Sequence, residues 1–301
     1  MKKYVLLLTV LFCLGPPFIN ACYANANNEF DDALFHYFND EPEIALKKLD
    51  ALETLFKDSP VFYEYRARCY WQLAKKSTKT TGTQYKEKPP VDSAIDGQFI
   101  KNIDEAIRIS EKKFSEESLP KNAFNLAMAF STKAGYVAQI YGGRDGAKQG
   151  AILMDKAVEK INFCITYSPP YCLAYLPLGA TQFFITKEIS GNIERRLGYW
   201  LWASRHASSL YDTINYDKEE AIRFVEIASR CDGPKFRRTE ALITLQLFLM
   251  EPESNQNKRY EYDLRALPVL QELAQKYPNN ELIKNNLSTV YRHMAIKNKS
   301  R

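Results

Sequence analysis

The feature that most constrains this fold is the recurrence of apolar residues at helical spacing, interrupted by proline turns. Ala45, Leu49 and Leu52 fall at i, i+4 and i+7, which places them on one face of a helix. Pro60 follows a few residues later; proline disfavours helix in the residue before it and suits the first turn of the next helix. No stretch alternates cleanly enough to predict a strand. The pattern therefore predicts an all-α chain of helix pairs.

Such helix pairs must stack, because each pair carries an apolar face that it cannot bury alone. Stacking neighbours buries those faces in a continuous core. The sequence thus predicts one helical repeat domain over residues 27–301, an α-α superhelix of helical hairpins. The hairpins are long or interrupted, since the turn prolines are not strictly periodic; they are Pro60, Pro120, Pro169 and Pro278.

Two segments depart from regular pairing. Residues 75–93 are polar and contain Pro89-Pro90, which predicts a loop open to proteolysis. Residues 190–216 are rich in Tyr and Trp, and we expect short helices that pack over the stack. The C-terminal third gives the clearest pattern, with Asp217 as the expected N-cap of a helix and Glu219 and Glu220 in its first turn.

The N-terminus has the pattern of a cleaved signal peptide. Lys2 and Lys3 precede an apolar stretch over residues 4–14, and Ala24-Asn25-Ala26 supplies the small-x-small cleavage motif. The apolar stretch is much shorter than the roughly 20 residues that a membrane-spanning helix needs. We therefore predict that residues 1–26 are removed, that the mature chain starts near Asn27, and that the protein is exported to the periplasm.

A second interpretation concerns the same segment. The run Ile19-Asn20-Ala21-Cys22 resembles a bacterial lipobox, in which Cys22 would be lipidated and become the mature N-terminus. Asn20 is a poor residue for its position in that motif. Both interpretations predict export, and the second adds an outer-membrane lipid anchor as the only contact with a membrane.

The charge balance argues against a nucleic-acid partner. The chain has 41 Lys and Arg against 36 Asp and Glu, and the predicted signal peptide removes two of the lysines. A nearly neutral mature chain without a long single-sign run lacks the concentrated basic face that nucleic-acid binding requires. The charges are typical of solvated helix faces.

Four cysteines remain after cleavage at Ala26. Cys164 and Cys172 flank the turn that contains Pro169 and Pro170, and in an oxidising periplasm a disulfide there would join two antiparallel helices. The alternative is two separate buried thiols, because free cysteine packs as a small hydrophobic residue. The sequence contains no C-x-x-C pair, so it does not predict a zinc ribbon or a thioredoxin-like site.

The C-terminal third resembles a known repeat family. The residues that carry the resemblance are 217–228 (DKEEAIRFVEIA), 238–242 (RTEAL) and 266–282 (ALPVLQELAQKYPNNEL). They look like the C-terminal repeats of bacterial exported tetratricopeptide-repeat proteins, and residues 122–178 resemble them more loosely. A smaller similarity is to the tetratricopeptide lipoproteins associated with TRAP transporters. The resemblance implies a scaffold without assigned chemistry.

Nothing in the sequence predicts a catalytic centre, a metal site or a cofactor. The three histidines, His36, His206 and His293, lie far apart and lack metal-ligand spacing. The glycine-rich residues 142–146 lack the Gly-Lys-Ser/Thr end of a phosphate loop. No Gly-x-Ser-x-Gly motif occurs. We therefore predict a non-enzymatic protein, with an enzyme assembled from distant residues as the weakest alternative.

The leading hypothesis is a periplasmic or envelope-associated adaptor that binds a protein or peptide partner along its helices. The alternative is a lipid-anchored accessory protein of a TRAP-type solute transporter that binds a small ligand in an aromatic cavity. Tyrosine and arginine are effective contact residues at protein interfaces. The candidate partner contacts are Tyr63, Arg66, Tyr70, Tyr171, Tyr175, Tyr199 and Arg205.

Overall fold

A computed structural model describes residues 16–79, 92–190, 205–215 and 217–299, and these residues are helical apart from short turns. No strand occurs within those ranges, so the predicted all-α class is confirmed there. The helices of the described residues are α1 (Pro16–Phe38), α2 (Pro42–Phe56), α3 (Pro60–Lys79), α4 (Ser93–Glu116), α5 (Pro120–Tyr136), α6 (Gly143–Thr166), α7 (Tyr175–Ser190), α8 (Ser208–Thr213), α9 (Lys218–Ser229), α10 (Lys235–Leu249), α11 (Gln256–Lys276) and α12 (Glu281–Lys299). A π-helical turn, Val137–Tyr141, follows α5, and a 3-10 turn, Cys172–Ala174, precedes α7.

The helix starts follow from local sequence. Pro42, Pro60 and Pro120 are the first residues of α2, α3 and α5. A backbone N–H at this position has no acceptor within the helix, so proline, which lacks the N–H, loses no hydrogen bond there. The Asp217 carboxylate accepts hydrogen bonds from the backbone N–H groups of Glu219 and Glu220, which confirms the predicted cap of α9. The prolines and the Asp217 cap thus set where these helices begin.

Helices that follow one another along the chain pack against each other from α1 to α7 and again from α9 to α12. Every second helix also makes contact over part of the chain: α3 packs on α5, α5 on α7, and α7 on α9. At the contact of α7 with α9, a Cβ on Gly179 would lie 2.6 Å from the carbonyl oxygen of Ala221. The small residue therefore permits this close helix approach.

The first and last hairpins also meet. The side chain of Asn280, between α11 and α12, donates to the carbonyl oxygen of Phe38 at 2.8 Å. The backbone N–H of Asn279 donates to the side-chain oxygen of Asn39 at 2.9 Å. The largest buried core accordingly joins side chains of α1, α2 and α3 to those of α9, α10, α11 and α12. The chain curls until the turn after α1 meets the turn between α11 and α12.

Some expectations differ from the structure. The loop predicted for residues 75–93 is too long, because α3 continues to Lys79 and α4 begins at Ser93; residues 80–91 lie outside the described ranges. Of the aromatic segment 190–216, α8 is one short helix, and residues 191–204 and 216 lie outside them. The predicted cleavage site, Ala24 and Ala26, and the candidate lipidation site, Cys22, lie within α1, and their processing stays a prediction.

The predicted Cys164–Cys172 disulfide is wrong, because Cys172 is bonded to Cys231, 59 residues away, with a Cα–Cα distance of 5.9 Å. Cys164 faces α5 instead, where its thiol donates to the carbonyl oxygen of Pro120 at 3.2 Å. That thiol is fully buried, and burial raises its pKa to about 12. Cys172 lies beyond the turn and faces the end of α9, which Cys231 follows.

The Cys172–Cys231 bond should stabilise the protein by restricting its unfolded chain. Replacing both residues, as Cys172→Ser with Cys231→Ser, should lower the free energy of unfolding in urea by roughly 2–4 kcal/mol. Dithiothreitol should destabilise the wild type and leave the double variant unchanged. A peptide map that links Cys164 to Cys172 would contradict the assignment.

Candidate functional site

The most connected polar group in the described residues is a set of four charged side chains between α3 and α10, here named the charge cluster; three are buried and Arg68 is partly buried. Its members are Glu64 and Arg68 on α3 with Arg237 and Glu240 on α10. Arg237 bridges Glu64 and Glu240, with both N–O distances 2.8 Å. Arg68 lies 2.7 Å from Glu64 and also binds Glu240. Each carboxylate is therefore shared by two guanidinium groups.

Local spacing explains how two helices build this arrangement. Glu64 and Arg68 are four residues apart, and Arg237 and Glu240 are three apart, so each helix presents one cation and one anion on a single face. When the two faces meet, opposite charges alternate around the cluster. Glu64 and Arg237 are only 1% exposed. Because unpaired buried ions are very costly, this complete pairing is what makes their burial tolerable.

Aromatic rings from three helices surround the charge cluster. The guanidinium carbon of Arg237 lies 5.6 Å from the ring centroid of Tyr65, and 5.3 Å from those of Phe124 and Phe236. The Tyr65 hydroxyl donates to Glu240 at 3.3 Å. Since Phe124 belongs to α5, the cluster gathers α3, α5 and α10, and cation–π contacts add to the ion pairs.

The charge states in the cluster are strongly biased. Burial alone would lower the pKa of Arg68, but Glu240 and Glu64 raise it well above its ordinary value. Burial alone would raise the pKa of Glu240, but Arg68 and Arg237 hold it below its ordinary value. Burial and Glu240 raise the pKa of the Tyr65 hydroxyl. None of these groups titrates near neutral pH as a general acid or base would, and we interpret the cluster as structural.

A second feature is an exposed aromatic surface where α4 and α6 end, here named the aromatic edge. It consists of the rings of Phe114, Phe163 and Tyr167, with Leu119 in the turn that follows α4. Phe114 and Phe163 are half-buried. The Phe163 ring lies 5.3 Å from that of Phe114 and 6.0 Å from that of Tyr167. Leu119 and Tyr167, each in a turn, are both 39% exposed.

The packing of α6 against the start of α5 brings the parts of the aromatic edge together, through the bond from the Cys164 thiol to the Pro120 carbonyl oxygen. The Lys160 ammonium lies 5.0 Å from the ring centroid of Phe114. Tyrosine, here Tyr167, is among the residue types enriched at the energetic centres of protein interfaces. Sequence reasoning missed these residues, although large apolar side chains in two turns were an available signal.

The predicted contact residues on α3 are largely engaged within the chain. Arg66 lies 2.7 Å from Asp50 and 3.1 Å from Glu53 and is mostly buried. Tyr63 and Tyr70 are half-buried and pack against the core. These three residues share one face of α3, as expected from their spacing, but they help to join helices.

The remaining predicted contacts lie elsewhere. Tyr171 is half-buried, its ring 5.3 Å from that of Phe124, and its backbone N–H donates to the Cys164 carbonyl, so it adjoins the aromatic edge. The Tyr175 ring stacks on Phe224. Arg205 is exposed, and Tyr199 lies outside the described residues.

The histidines have separate surroundings. His36 lies 2.6 Å from Glu41, and His293 lies 3.0 Å from the buried carboxylate of Asp263. Within residues 16–79, 92–190, 205–215 and 217–299, no group of three or more His, Cys, Asp or Glu is arranged to hold a metal ion. Over the same part of the chain, no helix has both the length and the hydropathy needed to cross a membrane.

No family model, curated protein or solved structure matches the chain. The tetratricopeptide-like pattern of the C-terminal third therefore stays a prediction based on residue spacing, and functional inference depends on the surfaces described above.

Removing one member of the charge cluster should destabilise the fold strongly, because two buried guanidinium groups then lose a shared counter-ion. Glu64→Ala should lower the free energy of unfolding by about 3–5 kcal/mol. The matched control is Glu105→Ala, which removes an exposed pair with Arg108 and should cost about 0.5 kcal/mol or less. Equal losses in the two variants, measured by urea denaturation, would show that the cluster does not hold the helices together.

Proposed function

We propose that this protein is an exported, non-enzymatic scaffold of the bacterial cell envelope that binds a protein or peptide partner. Its helix pairs form a superhelix of the tetratricopeptide type in this proposal, and the aromatic edge is its partner-binding surface. The observation that carries the partner-binding part is the exposure of Tyr167 beside the ring of Phe163, which packs on Phe114, together with the exposure of Leu119 in the turn after α4.

The Cys172–Cys231 bond supports the export part. Structural disulfides persist in oxidising compartments such as the periplasm and are rare in the reducing cytosol. The N-terminal pattern of two lysines, a short apolar stretch and an Ala-x-Ala motif points in the same direction. The two observations are independent, since one concerns residues 1–26 and the other lies far along the chain.

The packing order supports the superhelix. Consecutive helices pair, and α3, α5, α7 and α9 contact one another in that order. Stacked helical hairpins produce contacts between alternate helices in this way. The charge cluster and its rings fill the space where α3, α5 and α10 meet. We therefore place the partner on an outer surface, the aromatic edge, and not between these three helices.

The size and chemistry of the aromatic edge fit a short apolar segment of a partner. Large apolar side chains rarely lie next to one another on the surface of a protein unless another molecule covers them. The Lys160 ammonium beside the Phe114 ring is already paired with Glu159 at 2.7 Å, so the surface is mainly apolar. Two turns present the apolar side chains, so binding requires little rearrangement of the helices.

Changing the aromatic edge should abolish partner capture without unfolding the protein. Leu119→Asp combined with Tyr167→Ala should reduce the partner recovered from envelope extract at least about tenfold, because few residues carry most of an interface energy. The matched control is Leu282→Asp, which alters a similarly exposed apolar residue on α12. The measurement is affinity capture with quantitative mass spectrometry. Equal recovery by both variants, or no recovery by the wild type, would contradict the proposal.

The mature N-terminus should identify the mode of export. Intact-mass analysis of protein taken from the envelope fraction should give a chain that starts at Asn27 without added acyl mass. A chain that starts at an acylated Cys22 would replace this form with the lipid-anchored one and would favour the transporter-associated alternative. Full-length protein confined to the cytosol would overturn export in both forms.

A further inference from the structure

The connection between α6 and α7 is exposed and has few hydrogen bonds. Residues 167–171 lead from α6 to the 3-10 turn at Cys172–Ala174, and they are here named the edge turn. Residues 167–170 are exposed, and within the described chain no backbone hydrogen bond outside the helices involves them. Pro169 and Pro170 also lack an N–H to donate. Backbone bonding therefore does not fix the segment that presents Tyr167 of the aromatic edge.

Contacts at the far end of the edge turn hold it in place. The Tyr171 backbone N–H donates to the carbonyl oxygen of Cys164 at 2.9 Å, and the Tyr171 ring lies 5.3 Å from that of Phe124. The next residue, Cys172, is bonded to Cys231. One hydrogen bond and one ring contact are weak constraints, whereas the disulfide is covalent. The disulfide is therefore the strongest attachment of the edge turn to the rest of the fold.

Cys231 lies in the turn between α9 and α10, which is itself well anchored. Its backbone N–H donates to the carbonyl oxygen of Ala228 at 3.3 Å, and α10 carries Arg237 of the charge cluster. A Cβ on Gly233 would lie 3.0 Å from Cδ1 of Leu173, so the buried Leu173 side chain packs closely beside the disulfide. The disulfide thus ties an exposed turn to the part of the chain that the charge cluster holds.

Loss of the disulfide would loosen the edge turn before it loosened the helices. Exposed segments with few backbone hydrogen bonds open at a low free energy, while core helices open only with much of the fold. The edge turn has both properties, whereas α6 and α10 each bury an apolar face. Without the disulfide, we expect the edge turn to sample several conformations while the helices stay packed.

We propose that the Cys172–Cys231 disulfide is a positioning tether for the aromatic edge, which holds the edge turn in the conformation that presents Tyr167. This inference rests on the proposed partner-binding function of the aromatic edge. Cys172 and Cys231 act through Tyr167 and are positioning residues. A turn that is already ordered loses less conformational entropy when a partner binds, so the tether strengthens binding without adding a contact.

The free thiols of Cys69 and Cys164 do not compete for the disulfide. Thiol–disulfide exchange requires a thiolate. Both side chains are fully buried; burial raises the pKa of the Cys164 thiol to about 12 and also raises that of Cys69. Cys172 and Cys231 are half-buried, so a small reductant can reach the bond between them. The tether can therefore be opened in the folded protein.

Hydrogen exchange measured by mass spectrometry tests the tether without any partner. In Cys172→Ser with Cys231→Ser, the amides of residues 167–174 should exchange at least about tenfold faster, while those of α3 and α10 stay unchanged. Dithiothreitol, which reduces the disulfide to two thiols and becomes a cyclic disulfide itself, should have the same effect on the wild type. Reoxidation should restore the slow exchange, and dithiothreitol should not affect the double variant.

The matched control for lost stability is Leu49→Ala. Leu49 is fully buried on α2, which packs on α1 and α3, far along the chain from the edge turn. This variant should lose stability to an extent similar to that of the double cysteine variant and leave exchange in residues 167–174 unchanged. Recovery of the partner from envelope extract should fall at least about fivefold in the double cysteine variant and stay at the wild-type level in Leu49→Ala.

The two measurements separate the tether from the proposed function. Unchanged exchange in residues 167–174 of the double cysteine variant overturns the proposal. Equal acceleration throughout that protein overturns it as well, because the disulfide would then act only on global stability. Wild-type partner recovery despite faster local exchange shows that the tether does not serve binding. A wild type that recovers no partner overturns the proposed function, and the exchange result still decides whether the disulfide holds the edge turn.

Discussion

The structure depends on the mutual neutralisation of two arginines and two glutamates in its interior. Bringing these four ions out of water is favourable only when all of them meet, because a missing partner leaves a buried charge uncompensated. Glu64 and Arg68 on α3 must therefore meet Arg237 and Glu240 on α10 in one relative position. Apolar contacts tolerate sliding, whereas this alternating set of charges does not. The cluster thereby fixes how far the chain curls between α3 and α10.

Much of the secondary structure could be predicted, because it is encoded by neighbouring residues. Pro60 and Asp217 mark helix starts through backbone chemistry that acts within one turn. The tertiary partners could not be predicted in the same way. Arg237 and Glu64 are 173 residues apart, and Cys231 is 59 residues from Cys172. The i, i+4 and i, i+3 charge pairs on otherwise apolar helix faces were visible, but they do not say which helices meet.

The candidate surfaces likewise depend on tertiary packing that neighbouring residues do not encode. The contact residues predicted on α3 are tyrosines and an arginine, and the fold uses Arg66 to bind two acids of α2. The aromatic edge instead uses apolar residues in turns, at positions that are ordinarily polar. A residue type indicates that a side chain is suited to recognition. Only the packing of the chain determines whether that side chain is left available for it.

The contact between the first and last hairpins has a consequence for how the chain folds. Asn39 and Asn279 are bonded across 240 residues of sequence, so the first hairpin cannot complete its contacts until the end of the chain has been synthesised. Contacts of such large sequence separation slow folding and prolong the time during which apolar surface is exposed. The C-terminal residues therefore complete the contacts of the N-terminal hairpin last, and until they arrive the hairpin exposes the surface that they later cover.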